Sequence, residues 1–315
     1  MPGSTWVGAT AFLLLAALGP ILPAWLISIA TIAFANALVV LGLVVLWRVG
    51  LVSFGQALYY AIGAYAVALL ARFFSVSDAF VSVLVAGGLA GLIAFLVGFL
   101  LARYREIFFA MLSLAISMIL YGALVKTEAL GSTDGFNVPP PTFLGYAPHG
   151  RALDLALLWL TLGGAAIAAM LVSVYFRSIA GALAVPVRDN EIRVEFLGVS
   201  VNRMIHAKLT IAGALGGVAG ALAALAIGHV DPNMAYWTTS GGFVFVTILA
   251  GATSVAATFI GSLGFELLRS FAVDIMPDTW QIVLGSALLL TILFLPDGLG
   301  SIFSKRAGAK EAPTP

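Results

Sequence analysis

Long apolar runs, separated by short polar stretches, follow one another along the whole chain. The first charged residue is Arg48, and a second uncharged run extends from Pro232 to Phe265. Crossing a bilayer takes about 20 apolar residues, and both runs are longer than that. They are continuous, without the two-residue alternation of barrel strands, which favours helices. The pattern therefore predicts an all-α fold, a polytopic transmembrane helical bundle.

Charges and helix-breaking residues divide the chain into ten candidate spans. They cover residues 6–22, 25–46, 51–71, 79–102, 107–125, 155–176, 209–229, 238–256, 257–273 and 280–296. Pro20 and Pro23 shorten the first span, and only residues 251–254 separate the eighth from the ninth, so one of these two could be re-entrant. We therefore expect nine or ten spans, with residues 1–302 as the transmembrane domain and 303–315 as a cytoplasmic tail.

Basic residues are distributed unevenly between the two sides of this arrangement. With ten spans and both ends in the cytoplasm, the outer side holds Arg72, Lys126 and Arg151, whereas nearly all the other basic residues are cytoplasmic. Such an excess is typical of cytoplasmic loops. No Lys or Arg precedes the first apolar run, so we interpret that run as a retained span and not as a signal peptide.

Composition excludes several other classes of protein. Charged residues make up 9% of the chain and hydrophobic residues 62%, whereas soluble proteins contain about 25% charged residues. The absence of cysteine rules out disulfides and Cys-ligated metals, and scattered basic residues argue against nucleic-acid binding. Phosphate-loop and hydrolase motifs are missing. We therefore expect no enzyme activity and no cofactor in this chain.

The inner connection, residues 177–208, is the most polar part of the chain. Pro186 is expected to end the segment before it, Asp189 or Asn190 to cap a new helix, and Gly198 to end that helix. The new helix would pair Asp189 with Arg193 and would carry an apolar stripe.

Ile192 and Phe196 form this stripe, which needs a covering surface. A solvated connector and a lever seated in a groove of a partner protein are both open readings. The candidate coupling residues are Arg188, Asp189, Asn190, Glu191, Arg193, Glu195, Phe196 and Gly198.

Three further features are candidates for function. The outer connection, residues 126–154, combines a predicted tight turn at 131–135 with three consecutive prolines at 139–141. It serves either as a linker or as a surface for an extracytoplasmic partner. Glu266 and Arg269 are the ionisable residues placed within a span, three apart on one helix face. Hydroxyl and amide groups follow a predicted break in the third span, and the candidate pathway residues are Ser53, Gly55, Gln56, Tyr59 and Tyr65. These groups either line a cavity or bond neighbouring helices.

From about Gly50 to Gly300 the chain resembles the LivM-type permease subunit of branched-chain amino acid ABC importers. The resemblance lies in Gly50–Tyr65, Phe109–Ala115, Thr133–Gly135, Val187–Lys208, Gly228–Pro232 with Trp237 and Ser240, and Phe294–Gly300. Two departures concern the cargo: Gln56 stands where His is common, and Gly241-Gly242 follows Ser240 where Gly-Glu is common.

The resemblance implies a division of labour in a bacterial inner membrane. An extracytoplasmic binding protein delivers the solute, this chain and a LivH-like permease form the pathway, and two LivG/LivF-like ATPases bind ATP and Mg²⁺ and dock on the inner connection. Branched-chain amino acids are the leading cargo. Urea, amides or aromatic acids, a simple-sugar ABC permease and a stand-alone secondary transporter are the alternatives.

Overall fold

The structure is a computed structural model that describes residues 19–251 and 254–294, apart from the side chain of Ile292. Residues 6–18 of the first predicted span and the whole C-terminal tail lie outside these residues. Helices dominate the described residues. They are α1 Ala24–Trp47, α2 Gln56–Phe74, α3 Ala79–Leu101, α4 Glu106–Lys126, α5 Arg151–Arg177, α6 Ile179–Ala182, α7 Ala184–Asp189, α8 Glu191–Phe196, α9 Val201–Ile227, α10 Trp237–Ala250, α11 Val255–Ile275 and α12 Trp280–Phe294. Short 3₁₀ turns lie at Gly19–Ile21, Glu128–Leu130 and Pro232–Ala235.

Seven of the described helices are long and apolar enough to cross a membrane: α1 to α5, α9 and α11. The polytopic helical bundle predicted from the sequence is thereby confirmed. The helix α10 has 14 residues, a length of about 21 Å, which is short for a bilayer of about 30 Å. Nine of the ten predicted spans lie mainly within the described residues, and each overlaps mainly with one helix.

The helix α9 lies at the centre of the bundle and packs against α1, α2 and α3. Glycines permit this contact. A side chain at Gly63 of α2 would meet the carbonyl of Gly217, and one at Gly220 would meet the carbonyl of Tyr60. Backbone-to-backbone packing of this kind is typical of membrane helices, in which small residues let the axes approach closely.

The two ends of the bundle differ in charge. We call one the basic end; it carries Arg48, Arg103, Arg105, Arg177, Arg188, Arg193, Arg203 and Lys208. At the opposite end, β1 Phe136–Asn137 pairs antiparallel with β2 His229–Val230. The predicted turn closes there through a hydrogen bond from the Gly135 N–H to the Gly131 carbonyl. Asp78 caps α3 and also accepts the Leu144 N–H, which fixes the outer connection to the bundle.

Three predictions about local structure are wrong. The span predicted from residue 51 begins at Gln56, because residues 51–55 are not helical. Pro186 lies within α7 instead of ending a helix, since a proline in the first turn removes only an N–H that has no helical partner. The inner connection ends at Ser200, and Lys208 lies in the second turn of α9, because charged residues do not by themselves stop a helix.

Candidate functional site

The predicted coupling helix is present as α8, at the basic end of the bundle. The Asn190 side chain accepts the Arg193 N–H and so caps the helix, and Gly198 follows its end with a φ of +84°. Val194 points into a buried cluster with residues of α1, α4 and α9. The stripe lies on the other side, with Ile192 65% and Phe196 87% exposed. The chain thus presents two bare apolar side chains beside basic groups.

A single arginine fixes this helix to the bundle. The guanidinium of Arg105 donates to both carboxylate oxygens of Glu191, at 2.8 and 2.6 Å, and to Asn202 of α9 at 2.8 Å. It also donates to the carbonyl of Ala102, directly after α3. Bidentate pairs of this kind are geometrically specific. Arg105 therefore joins α8 to the ends of α3 and α9, a role that the sequence analysis did not assign to it.

The other predicted coupling residues are mainly exposed. Arg188, Asp189, Arg193 and Glu195 all face away from the core. The stem of Arg188 lies over Gly50. Asp189 does not pair with Arg193, contrary to the sequence prediction, because the two belong to different helices that are interrupted at Asn190. Of the predicted coupling residues, Glu191 is the one that has an ion-pair partner among the residues that the structure describes.

The non-helical entry to α2 is held by hydroxyl groups from other helices. The Phe54 N–H donates to Ser113 of α4 at 3.1 Å, and the Ala57 N–H donates to Ser240 of α10 at 2.9 Å. Freed backbone groups within a membrane must find such partners. Side chains of α4 and α10 thus replace the helical bonds that are lost at the break.

A second interruption lies beside the first. Ser117, in the middle of α4, donates to the carbonyl of Ala235 at 2.9 Å. Ala235 ends the 3₁₀ turn that precedes the short helix α10. Two segments that are not α-helical, residues 51–55 and 231–236, therefore reach the interior of the bundle next to α4. Irregular backbone at this depth is tolerated where protein buries it or a cavity adjoins it.

The predicted pathway residues are buried, and only some of them lie together. Ser53 is 1% and Gln56 0% exposed, beside the break at Gly55. Gln56 faces Gly216 of α9, and the side-chain amide of Gln56 and the hydroxyl of Tyr59 have no hydrogen-bond partner. Tyr65 is about 15 Å from the break along α2 at a helical rise of about 1.5 Å per residue, and its ring contacts Phe136 near the opposite end.

Glu266 and Arg269 lie three residues apart on α11. The guanidinium Nη1 is 3.3 Å from the Glu266 Oε1, and the guanidinium also lies over the Trp280 ring at 5.8 Å. Glu266 is largely enclosed, whereas Arg269 is 47% exposed. The two charges neutralise each other.

Lys208 is a fully buried cation that the sequence analysis placed in a loop. Its side chain is 0% exposed, and the Nζ has no hydrogen-bond partner. The Nζ lies 4.9 Å from the centre of the Tyr175 ring, whose own hydroxyl is also buried without a partner. The nearby charge is that of Arg48, which stacks on Phe176 at 3.8 Å.

Among the described residues, the favourable contact of Lys208 is weaker than the cost of burying its charge. A cation over an aromatic ring gains about 0.5–2 kcal/mol, whereas an unpaired buried charge costs several kcal/mol. Arg48 has the same sign as Lys208 and adds repulsion. Burial also lowers the pKa of Arg48 from its usual value, although a guanidinium remains charged at neutral pH. The sequence signal that could have found this site is the position of Lys208 directly before the glycine-rich apolar run that begins at Leu209.

The chain is similar to named permeases. It is 28% identical over 302 residues to the high-affinity branched-chain amino acid transport system permease protein LivM of Escherichia coli, covering 87% of this chain and 69% of that protein. The LivM protein of Salmonella typhimurium is 29% identical over 303 residues, with the same coverage. The BraD permease of Pseudomonas aeruginosa is 28% identical over 104 residues, 33% of this chain and 34% of that protein.

None of the solved structures matches the chain significantly. The pattern of the family described as "branched-chain amino acid transport system / permease component" matches residues 7–293, which includes every described helix except the last residue of α12. The segments that carry the site, α8 with its anchor and the two interruptions beside α4, lie within this match. The chain belongs to the family of branched-chain amino acid transport permeases.

Proposed function

We propose that this chain is the membrane-spanning permease subunit of an ATP-driven importer for branched-chain amino acids in a bacterial inner membrane. The observation that carries the proposal is α8. It exposes Ile192 and Phe196 at the basic end, while the pair between Arg105 and Glu191 holds it to the bundle. A helix with a bare apolar face and a rigid anchor suits a lever in a groove of a cytoplasmic protein.

The partners follow from this assignment. Two LivG/LivF-like ATPases would bind ATP and Mg²⁺ and receive α8, so this chain would need no cofactor of its own. An extracytoplasmic binding protein would dock at the opposite end, where the outer connection is fixed by Asp78. A LivH-like permease would supply the second half of the pathway, since the polar groups near Gly55 are closed off within this chain.

We expect the pathway to hold its solute weakly. Its candidate groups are the hydroxyls and amide of Ser53, Gln56 and Tyr59, and the intramembrane charges of Glu266 and Arg269 pair with each other. A tightly held solute would be released slowly, because binding in the ground state does not speed a later step. Selectivity would then rest with the binding protein, and urea, amides or aromatic acids remain the alternative cargo.

Reconstitution tests the proposal. The chain is purified with the permease, ATPases and binding protein encoded beside it and is placed in liposomes. Leucine uptake should require ATP on the side of the basic end and binding protein on the other side. Uptake that proceeds without the ATPases would contradict the proposal and favour a secondary transporter. Calorimetry of the binding protein with leucine, urea, amides and aromatic acids then identifies the cargo.

A further inference from the structure

At the basic end, α1, α5 and α9 bring together side-chain hydrogen-bond donors that have no acceptor among the described residues. Lys208 can donate three hydrogen bonds and the Arg48 guanidinium five, and the Tyr175 hydroxyl needs a partner as well. The ion pairs among the described residues are Arg105 with Glu191 and Arg269 with Glu266. No carboxylate of the described residues therefore pairs with Arg48 or Lys208.

We propose that Arg48, Lys208 and Tyr175 form a binding site for the phosphate of an anionic phospholipid. A phosphate oxyanion supplies the missing acceptors and the missing negative charge in one group. A water molecule would supply an acceptor but no charge, and would leave the two cations uncompensated.

The position of the cluster favours a lipid as the source of the phosphate. Arg48 directly follows α1, and Tyr175 precedes the last residue of α5 by two positions, so both lie where membrane helices end. Trp47 is partly exposed beside them, as expected of an aromatic side chain at the headgroup level. Basic pockets between helices on the cytoplasmic side are known sites for anionic headgroups.

The geometry sets the order of contacts. Arg48 and Tyr175 are partly exposed, whereas Lys208 is fully buried, with its Nζ 4.9 Å from the centre of the Tyr175 ring. The phosphate therefore meets Arg48 first. Lys208 reaches it when the Tyr175 ring turns aside and the flexible lysine stem extends toward the surface.

Thermal unfolding of the delipidated complex tests the site without any measurement of transport, so its outcome is separate from that of the proposed function. Phosphatidylglycerol should raise the Tm of the wild-type complex by several degrees, and phosphatidylcholine or inorganic phosphate should not. Lys208→Met should lose the shift, and Arg203→Gln, which removes an exposed charge of α9, should keep it. Without lipid, Lys208→Met should unfold at the wild-type temperature or above it.

Mass spectrometry of the same complexes counts the bound lipid. Wild type should retain at least one more phosphatidylglycerol per chain than Lys208→Met, and Arg48→Gln serves the same comparison if the first variant does not fold. An equal Tm shift and equal lipid retention in wild type and variants would overturn the site. A shift with inorganic phosphate alone would overturn the assignment to a lipid.

Discussion

At the scale of single residues, Arg105 connects more segments of the basic end than any predicted coupling residue does. It bonds Glu191, Asn202 and the carbonyl of Ala102, so displacement of α8 is transmitted to α3 and α9. Arg105→Glu or Glu191→Arg should each lower ATP-driven uptake about tenfold, since a charge-assisted hydrogen bond is worth about 1.5–3 kcal/mol. ATP hydrolysis should continue, because the proposed function assigns the catalytic groups to the ATPase subunits.

The exchanged pair, Arg105→Glu with Glu191→Arg, is the decisive variant. It should recover uptake to within about threefold of wild type, as a double-mutant cycle requires of two directly interacting groups. Arg103→Glu is the matched control, because Arg103 is exposed at the same end. A double variant no better than the single variants would show that the ion pair does not carry the coupling.

Phe196 and Val194 belong to the same helix and face opposite ways, so they separate docking from stability. Phe196→Ala should leave the Tm unchanged, since the side chain is 87% exposed, but should weaken ATPase binding at least tenfold. Val194→Ala, at 2% exposed, should cost about 1–2 kcal/mol of stability through the cavity it leaves. Calorimetric unfolding and pull-down of the ATPases measure the two effects. Equal ATPase binding by wild type and Phe196→Ala would remove α8 from the interface.

At the scale of elements, the apolar pattern predicts the spans and the Ser-Phe-Gly sequence predicts the break at Gly55, but neither predicts which side chains hold the broken backbone. Residues 51–55 are as apolar as a span. The hydroxyls that accept the Phe54 and Ala57 N–H groups belong to Ser113 and Ser240, 59 and 183 positions away. The sequence also predicts Lys208 in a loop, because its charge marks a boundary between apolar runs. The side chain is instead fully buried within the bundle, against Tyr175 of α5.

The capping of α2 by Ser240 gives an element-scale prediction. Ser240→Ala leaves the buried Ala57 N–H without an acceptor and should lower the free energy of unfolding by about 1–3 kcal/mol. Ser28→Ala is the control, because that exposed hydroxyl only bonds the Ala24 carbonyl within its own helix. Denaturant unfolding in detergent measures both. An equal effect of the two changes would mean that Ser240 does not support the break.

Close packing of α2 on α9 gives a second prediction at the scale of elements. Gly63→Val places a branched side chain against the Gly217 carbonyl and should force the two helices apart, with loss of most of the folded protein. Gly88→Val is the matched control, since nothing lies within 4 Å of a side chain there. Membrane yield and a fluorescent size-exclusion profile report the outcome. A normal profile for Gly63→Val would show that this helix contact is not required.

At the scale of the whole molecule, the charge distribution separates two tasks. The basic end carries α8 and its anchor, and the opposite end carries the β1–β2 pair and the fixed outer connection. The interruptions beside α4 lie between these ends. In the proposed function, the binding protein acts at the opposite end and the ATPases act at the basic end. The two interruptions would then connect these ends, and their backbone can change shape while breaking few α-helical hydrogen bonds.

Movement of these segments should change the rate at which cysteines placed near the break react with a thiol reagent. The chain contains no cysteine, so single cysteines can be placed at Ser53 and Gln56 without other changes. The side chains at both positions are buried in this structure. A small water-soluble thiol reagent should therefore modify them in one nucleotide state of the complete transporter and fail to do so in another.

Two further cysteines calibrate the measurement. Leu144→Cys, at a position 85% exposed, should react in every state, and Ala35→Cys, at a position 0% exposed within α1, should never react. Reaction at 53 and 56 that follows the nucleotide state would place the break in α2 beside the solute, because water reaches that depth only along an open pathway. Protection as complete as that of residue 35 in all states would mean that the hydroxyl and amide groups near Gly55 serve only to hold α2 against α4, α9 and α10.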